Sequence, residues 1–532
     1  MAFDLLIKNV RVMDGTGNPW YKGSIGVKDK EIAAVGNIPC CAEACNTIDG
    51  KNLIAAPGFI DMHTHSEYPL LVDGHAQSKI RQGVTTEVTN SCGGWGAPIA
   101  GFARAAAKKN VEKYDPNFEI DWVDFDGYNR RLEKQGTSVN VVNFVGHGAV
   151  RAAVFGFEDR APTSDELKQM LLYIEQAMEQ GCLGISTGIY YAPGCYATLD
   201  EIAECCKVVA KYNGVHSSHI RDESTYNIGF INAVKEVIEI GRKSGVRSNF
   251  SHLKGIGPFS VGRSPEVIGL LDQAREDGID VTADQYPYTA SGSGITGALL
   301  PRWAQVGGRD GTLARLKDPE TRARMKKGIE ENYVRRGGPE KLMVALCEHH
   351  PEYEGKSMKE VSDIMGMDPA ETALTLLADD EVSFVSHGQD ENDLINYMKW
   401  YGICVGSDGS SLAVDGPLGE GWPHPRNFGT FPRVLARYVR EKKILTLQDA
   451  VRRMTSAPAQ RLRIKDRGLL REGFWADITL FDPDTVEDKA TFREPKQYPV
   501  GIPYVIVNGE IVIDNGCHTG KMPGRVLRRR GG

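Results

Sequence analysis

Two histidines one residue apart, His63 and His65, close the apolar run "LIAAPGFIDMHTH" (53–65). In a strand, positions i and i+2 share a face, so both imidazoles point one way and Thr64 points the other. Five more residues of chemical type follow apolar runs later in the chain: Cys92, His219, His252, His387 and Asp408. Imidazole, thiolate and carboxylate are the ligand set of zinc. A lone strand-end histidine is commonly just packed. A pair at i, i+2, joined by histidine and cysteine at other strand ends, is a ligand pattern. His219 and His252 follow small residues in consecutive units, "SSH" and "FSH", and read as ligands. His216 lies three residues before His219, faces elsewhere, and reads as structural. Cys92 stands on the Gly-rich turn "TNSCGGWG", where it reads as a thiolate ligand rather than a small buried hydrophobe. Asp408, in "VGSDGSS", supplies the proton acceptor that a metal-activated water needs.

These residues must be carried to one place. Short apolar runs with polar ends recur at 140–148, 182–188, 214–222, 247–255, 280–288, 382–388 and 403–410. Helical periodicity fills the gaps at 165–181, 230–245 and 264–278, with Gly181 and Gly245 where helix C-caps are expected. With "GFIDMHTHS" and "GVTTEVTNSCG" the strands approach eight, and repeated βα units imply a parallel sheet. The expected fold is α/β, a (β/α)8 TIM-like barrel over residues 57–464, whose strand ends converge on one face. The charged stretch 289–381 breaks the rhythm and reads as an insertion over the barrel mouth. Residues 1–56 and 465–532 carry strand and turn patterns of like kind, "DLLIKNVRVMDGTG" and "PYVIVNGEIVIDNG". Both read as hairpins, and together they predict a small β-sandwich domain built from both chain termini.

The bulk numbers fit this plan. The chain has 532 residues, too long for one compact core, with 41% hydrophobic and 25% charged residues. A net charge of −7 offers no basic excess to draw nucleic acid or an anionic membrane. The basic "RVLRRRGG" (525–532) reads as a solvated tail. No run of about 18 apolar residues predicts a membrane span, and the N-terminus reads as a strand rather than a signal peptide. Eleven cysteines without paired CxxC spacing predict reduced, mostly buried thiols in a cytoplasmic protein.

The motifs, taken in order, resemble the amidohydrolase superfamily, and most closely its N-acyl-D-amino-acid deacylases, the D-aminoacylases. Those that carry the resemblance are "PGFIDMHTHSE" (57–67), "QGVTTEVTNSCG" (82–93), "VGHGAVR" (145–151) and "GISTGIYYAPG" (184–194). They continue with "SHIRDE" (218–223), "SHLKG" (251–255), "DQYPYTAS" (284–291), "GSDG" (406–409) and "HPRNFGTFPRVL" (424–435). The resemblance implies zinc-dependent hydrolysis of an N-acyl-D-amino acid, a small-molecule substrate. It implies a tight zinc site of Cys92, His219 and His252, with Cys92 where many relatives carry a carboxylated lysine. His63, His65 and Asp408 match a second, weaker metal position, with Asp408 as general base and then acid. Lys254 and Tyr286 match positions that hold the substrate carboxylate, and Ser291 one that contacts the acyl group, although Ser293 offers a second hydroxyl. Arg426 is a further carboxylate candidate, and Arg221 is ambiguous. His147 and Arg151 match a motif without an evident mechanistic place and read as structural. The competing readings are a cyclic-amide hydrolase of the dihydroorotase or hydantoinase kind, an isoaspartyl-type dipeptidase, and a scaffold without activity.

Overall fold

A strand that ends in a metal-ligand type of residue is useful only if its neighbours end beside it. The computed structural model describes residues 2–379 and 381–529. In it, eight strands pair in parallel: Phe59–Asp61, Val84–Thr89, Asn140–Gly146, Gly184–Gly188, Val215–His219, Arg247–Phe250, Val281–Gln285 and Ile403–Val405. Their residues are almost all buried, as a parallel sheet covered by helices requires. Helix Ser164–Glu179 shows how the cover is built. Thr163 and Glu166 form a capping box, and Met170, Ile174 and Met178 are its buried stripe. The ring is drawn together between its first and last strands. Met62 N donates to Val405 O (3.3 Å), Asp408 N to His63 O (2.9 Å) and His65 N to Gly409 O (2.9 Å).

One expected barrel strand belongs elsewhere. "VSFVSHG" forms Val382–Ser386, which pairs antiparallel with Ser291–Gly294 and Leu342–Cys347 in a separate three-stranded sheet. A short apolar run looks the same in either setting, and only the pairing partner differs. His387 therefore follows no barrel strand. Its ring packs 4.7 Å from Phe492, far in role from any ligand set. Helices such as Pro319–Arg336 and Pro369–Asp379 cover that sheet around a core of their own, with Leu299, Ile329, Val344, Leu374 and Phe384.

Both chain ends enter one nine-stranded sheet, joined where Ile478–Phe481 pairs antiparallel with Ile54–Pro57. "PYVIVNGEIVIDNG" is a hairpin of Tyr504–Val507 and Glu510–Asp514, turning through Asn508 and Gly509 at positive φ. "DLLIKNVRVMDGTG" is not a hairpin. Phe3–Val12 is one long strand with a bulge between Ile7 and Val10, and Asn9 takes its positive φ inside that bulge. The basic C-terminus is not a free tail either. Val141 N donates to Arg525 O, Leu527 N to Val141 O and Arg529 N to Gly181 O, so Arg525–Arg529 straps the start of the third barrel strand. Arg530–Gly532 lie outside the described residues. No helix among the described residues is long and apolar enough to cross a membrane.

Asp477 ties sheet to barrel. Its carboxylate accepts from Arg467, from Asn140 Nδ2 (3.0 Å) and from Asn508 N (2.8 Å), while its carbonyl accepts from Gly58 N (2.8 Å). Arg467 and Asp477 are both buried. Asp477→Ala is expected to cost about 3–5 kcal/mol, because it strands a buried guanidinium. Urea or thermal unfolding followed by circular dichroism would read the loss.

Candidate metal centre

The loops that follow the strands are bent to bring the ligand types inward. Cys92, His252 and Asp408 all sit at positive φ (52°, 36° and 51°), a region that costs a non-glycine residue about 1–2 kcal/mol. Such backbone persists only where neighbours hold it. At Cys92 the holders are Asn90 and Ser186. Asn90 Oδ1 accepts from Gly96 N (2.7 Å), Ser186 Oγ donates to Asn90 O (2.5 Å) and accepts from Gly93 N (3.1 Å). Gly188, ending the fourth strand, lets this loop close in. A Cβ there would meet Cys92 O at 2.1 Å.

The result is one cluster. Cys92 Sγ lies 3.3 Å from His63 Nε2, 3.6 Å from His219 Nδ1 and 3.4 Å from His252 Nε2. Asp408 Oδ1 is 3.0 Å from His65 Nε2 and 3.5 Å from His63 Nε2. Donors around a tetrahedral zinc at about 2.0–2.3 Å stand roughly 3.5 Å from one another. The set therefore fits zinc in chemistry and in spacing. His63, Cys92, His252 and Asp408 form one group able to hold an ion, and His219, Glu223 and His252 another. The outer nitrogens face carboxylates, as ligating imidazoles do. His63 Nδ1 is 3.6 Å from Asp284 Oδ1, and His219 Nε2 is 3.5 Å from Glu223 Oε1. Lys254 Nζ donates to Glu223 Oε1 (2.6 Å) and lies 2.7 Å from His252 Nδ1, and His252 Nε2 is the nitrogen turned to Cys92.

The electrostatics follow from this crowding. Burial would raise the Cys92 thiol, but the His63 and His252 charges and hydrogen bonds from His219 and His252 pull it well below its usual range. Burial opposes protonation of His65, yet Asp408 and Cys92 carry it up to about 9. Burial would raise Asp408 too, and Arg426, His252 and His65 overcome it, holding the carboxyl well below the usual range. Arg426 NH1 lies 2.7 Å from Asp408 Oδ2. A cleft of about 230 Å³ opens onto Cys92, His65, Asp408 and Arg426, with Trp95 and Tyr191 in its walls.

The other expected residues divide into two groups. Arg426 reaches the cleft. Tyr286 lies behind it, its hydroxyl accepting from Gln389 Nε2 (2.9 Å), with the Arg426 guanidinium 5.0 Å above its ring. Ser291 is buried next to the cleft-lining Gly292, its hydroxyl unpartnered among the described residues. Lys254 is set one layer back, its ammonium occupied by Glu223 and His252. Arg221 grips Glu236 and the carbonyls of Cys195 and Ala197, away from the cluster. His147 and Arg151 share buried Glu201, at 3.0 and 2.6 Å, which is a packing role. His216 bonds Thr187 Oγ1 (2.8 Å). Glu223 and Asp284 were missed, although both stand in the quoted motifs. Asp284 sits in the seventh barrel strand, near its end, where the strand-end logic applies equally. Glu223 gives no such signal, because its role depends on loop geometry.

The Amidohydrolase family, Amidohydro_3, is matched over residues 403–513. A D-aminoacylase of Alcaligenes xylosoxydans xylosoxydans is 34% identical, over 99% of this chain and 98% of the relative. The structure of an N-acyl-D-glutamate deacylase from Bordetella bronchiseptica, complexed with zinc and a phosphonate mimic of the tetrahedral intermediate, superposes with a TM-score of 0.84. It shares 33% identity and covers 99% of this chain and 100% of that one. A D-aminoacylase structure with a binuclear metal centre, described by one-metal activation and second-metal attenuation, reaches a TM-score of 0.83 at 32% identity, covering 99% and 100%.

Cys92→Ala removes the donor common to three imidazoles and is expected to abolish retention of tightly held metal. Glu223→Gln should weaken metal affinity roughly 10–100-fold. Metal analysis after dialysis against graded chelator would measure both. Burial, with the His147 charge, pulls His216 down to about 3, against about 6.5 in the unfolded chain. Between those values the unfolded chain binds a proton that the folded chain refuses, so stability falls as pH drops below about 6.5. His216→Gln should flatten that slope, as seen by comparing melting temperatures of both proteins between neutral and mildly acidic pH.

Proposed function

The chain belongs to the D-aminoacylase family of N-acyl-D-amino-acid deacylases, and on that premise we propose that it hydrolyses N-acyl-D-amino acids at the Cys92 cluster. The products are a carboxylic acid and a free D-amino acid. The observation that carries this reading is the meeting of a thiol, four imidazoles and a carboxylate at the floor of a cleft that also presents Arg426.

Zinc is the metal, with Cys92, His219 and His252 as the tighter set and His63, His65 and Asp408 as the second position. When bound, it supplies Lewis-acid polarisation of the scissile carbonyl and a water acidified to a pKa near 7. Asp408 takes the proton of the attacking water and returns it to the leaving nitrogen. Arg426 holds the substrate α-carboxylate from the cleft wall, with the Tyr286 and Ser291 hydroxyls behind it. Lys254 orients His252 and keeps Glu223 ionised. Fixing the carboxylate places the carbonyl within reach of attack, which contributes through orientation.

N-acetyl-D- and N-acetyl-L-amino acids, assayed side by side with zinc added, test the reading. Turnover of the D series is expected. Turnover confined to L substrates or to cyclic imides would overturn it. Asp408→Asn should lower kcat by roughly 10²–10⁴-fold while the tighter zinc stays bound. Full activity in that variant would remove Asp408 from the role of base.

A further inference from the structure

The opposite end of the barrel holds a second cavity, independent of the deacylase reading. It lies where strands begin: Leu183 precedes the fourth strand, and Asn213 stands just ahead of the fifth. Its volume is about 340 Å³, within the range of small-molecule sites. Leu183, Leu462 and Leu527 give it an apolar side. Its rim carries Arg463, Lys465, Arg467, Arg525, Arg528 and Arg529 against one acid, Asp466.

Two of these cations are neutralised nearby, Arg467 by Asp477 and Arg528 by Glu133. Among the described residues, Arg463, Lys465, Arg525 and Arg529 have no carboxylate within ion-pair distance. Arg525 and Arg529 lie over the rings of Trp475 and Tyr212, at 4.6 and 4.8 Å, and Arg529 Nε is buried without a hydrogen-bond partner. The crowding is felt beyond the rim. Burial, then the Arg461 and Arg463 charges, pull the Arg247 guanidinium down to about 10. The chain as a whole is acidic, at −7, so this local excess is not a general property of its surface. Cations without a carboxylate partner among the described residues, gathered around a half-apolar cavity, repel one another and favour an anion.

We propose that this cavity binds a small organic phosphate. Its phosphate would lie among Arg463, Lys465, Arg525 and Arg529, and its organic body against Leu183, Leu462 and Leu527. A doubly charged group suits several cations better than a single carboxylate, and guanidinium forks match phosphate geometry. The strap Arg525–Arg529 supplies two of the four cations, so the ligand would also pin the C-terminal segment to the barrel.

Isothermal titration of the full-length, zinc-loaded protein tests this. Phenyl phosphate and AMP serve as probes, with adenosine, inorganic pyrophosphate and a single-stranded oligonucleotide as comparisons. At least one organic phosphate should bind saturably at one per chain, more tightly than adenosine or pyrophosphate, and more weakly as salt is raised. The double variant Lys465→Gln, Arg525→Gln changes two exposed side chains. It should weaken that binding roughly tenfold or more while leaving kcat/KM for the deacylase substrate unchanged, which also shows that it folds. No binding of either organic phosphate at millimolar concentration, or undiminished binding by the variant, would overturn the proposal. So would pyrophosphate binding as tightly as both organic phosphates, or an oligonucleotide binding far more tightly than AMP.

Discussion

The N–H of Asp408 donates to the carbonyl of His63 across 2.9 Å, and the metal end of the molecule hangs on that seam. It joins the first barrel strand to the last and sets the Asp408 carboxylate beside the paired imidazoles. Side chains beneath it fix the register. Lys79 Nζ donates to Asp61 Oδ2 (2.9 Å) and Ser407 Oγ (2.5 Å), and Ser407 N donates to Asp61 Oδ1 (2.8 Å). Asp61 and Lys79 are wholly buried. Removing two ions from water costs several kcal/mol each, and it is offset only when every donor and acceptor is met. A slipped register would leave them unmet, so the pair selects one closure. Glu87 works alongside, accepting from Ser66 and Ser411 hydroxyls at 2.5 Å each.

Above the seam the cluster is unfavourable by itself. Three of its members hold left-handed backbone, and their charges do not balance. Cys92 as thiolate, Asp408, Glu223 and Asp284 bring four negative charges, and Lys254 and Arg426 bring two positive ones. The raised imidazoles of His63 and His65 and the lowered thiol of Cys92 express the same imbalance. Protons and a divalent metal compete for one place, so metal retention and acidity are linked.

Much of this was legible in the residues. The i, i+2 spacing put His63 and His65 on one face, and the later strand ends named Cys92, His219, His252 and Asp408, all of which meet. What failed has physical reasons. Val382–Ser386 has the composition of a buried parallel strand but pairs antiparallel in the insertion, and composition does not encode a partner. Asn9 signals a positive φ, which a turn and a bulge use equally. The strap at 525–529 is held by its backbone, to which side-chain charge is blind. Lys254 was legible as a cation near the site, but only the fold shows Glu223 claiming it at 2.6 Å.

Arg426 links binding to chemistry. Its guanidinium, 2.7 Å from Asp408 Oδ2, is the foremost of the charges that depress that carboxyl. A strongly depressed carboxyl is a weak base. A substrate carboxylate drawn to Arg426 from the cleft would share the guanidinium, relieve Asp408 of part of its pairing and raise its basicity as the amide arrives. An amide without a carboxylate would leave Asp408 clamped. On the proposed roles, a substrate carboxylate at Arg426 would act on the proton transfer as well as on binding, because one cation would serve both groups in turn.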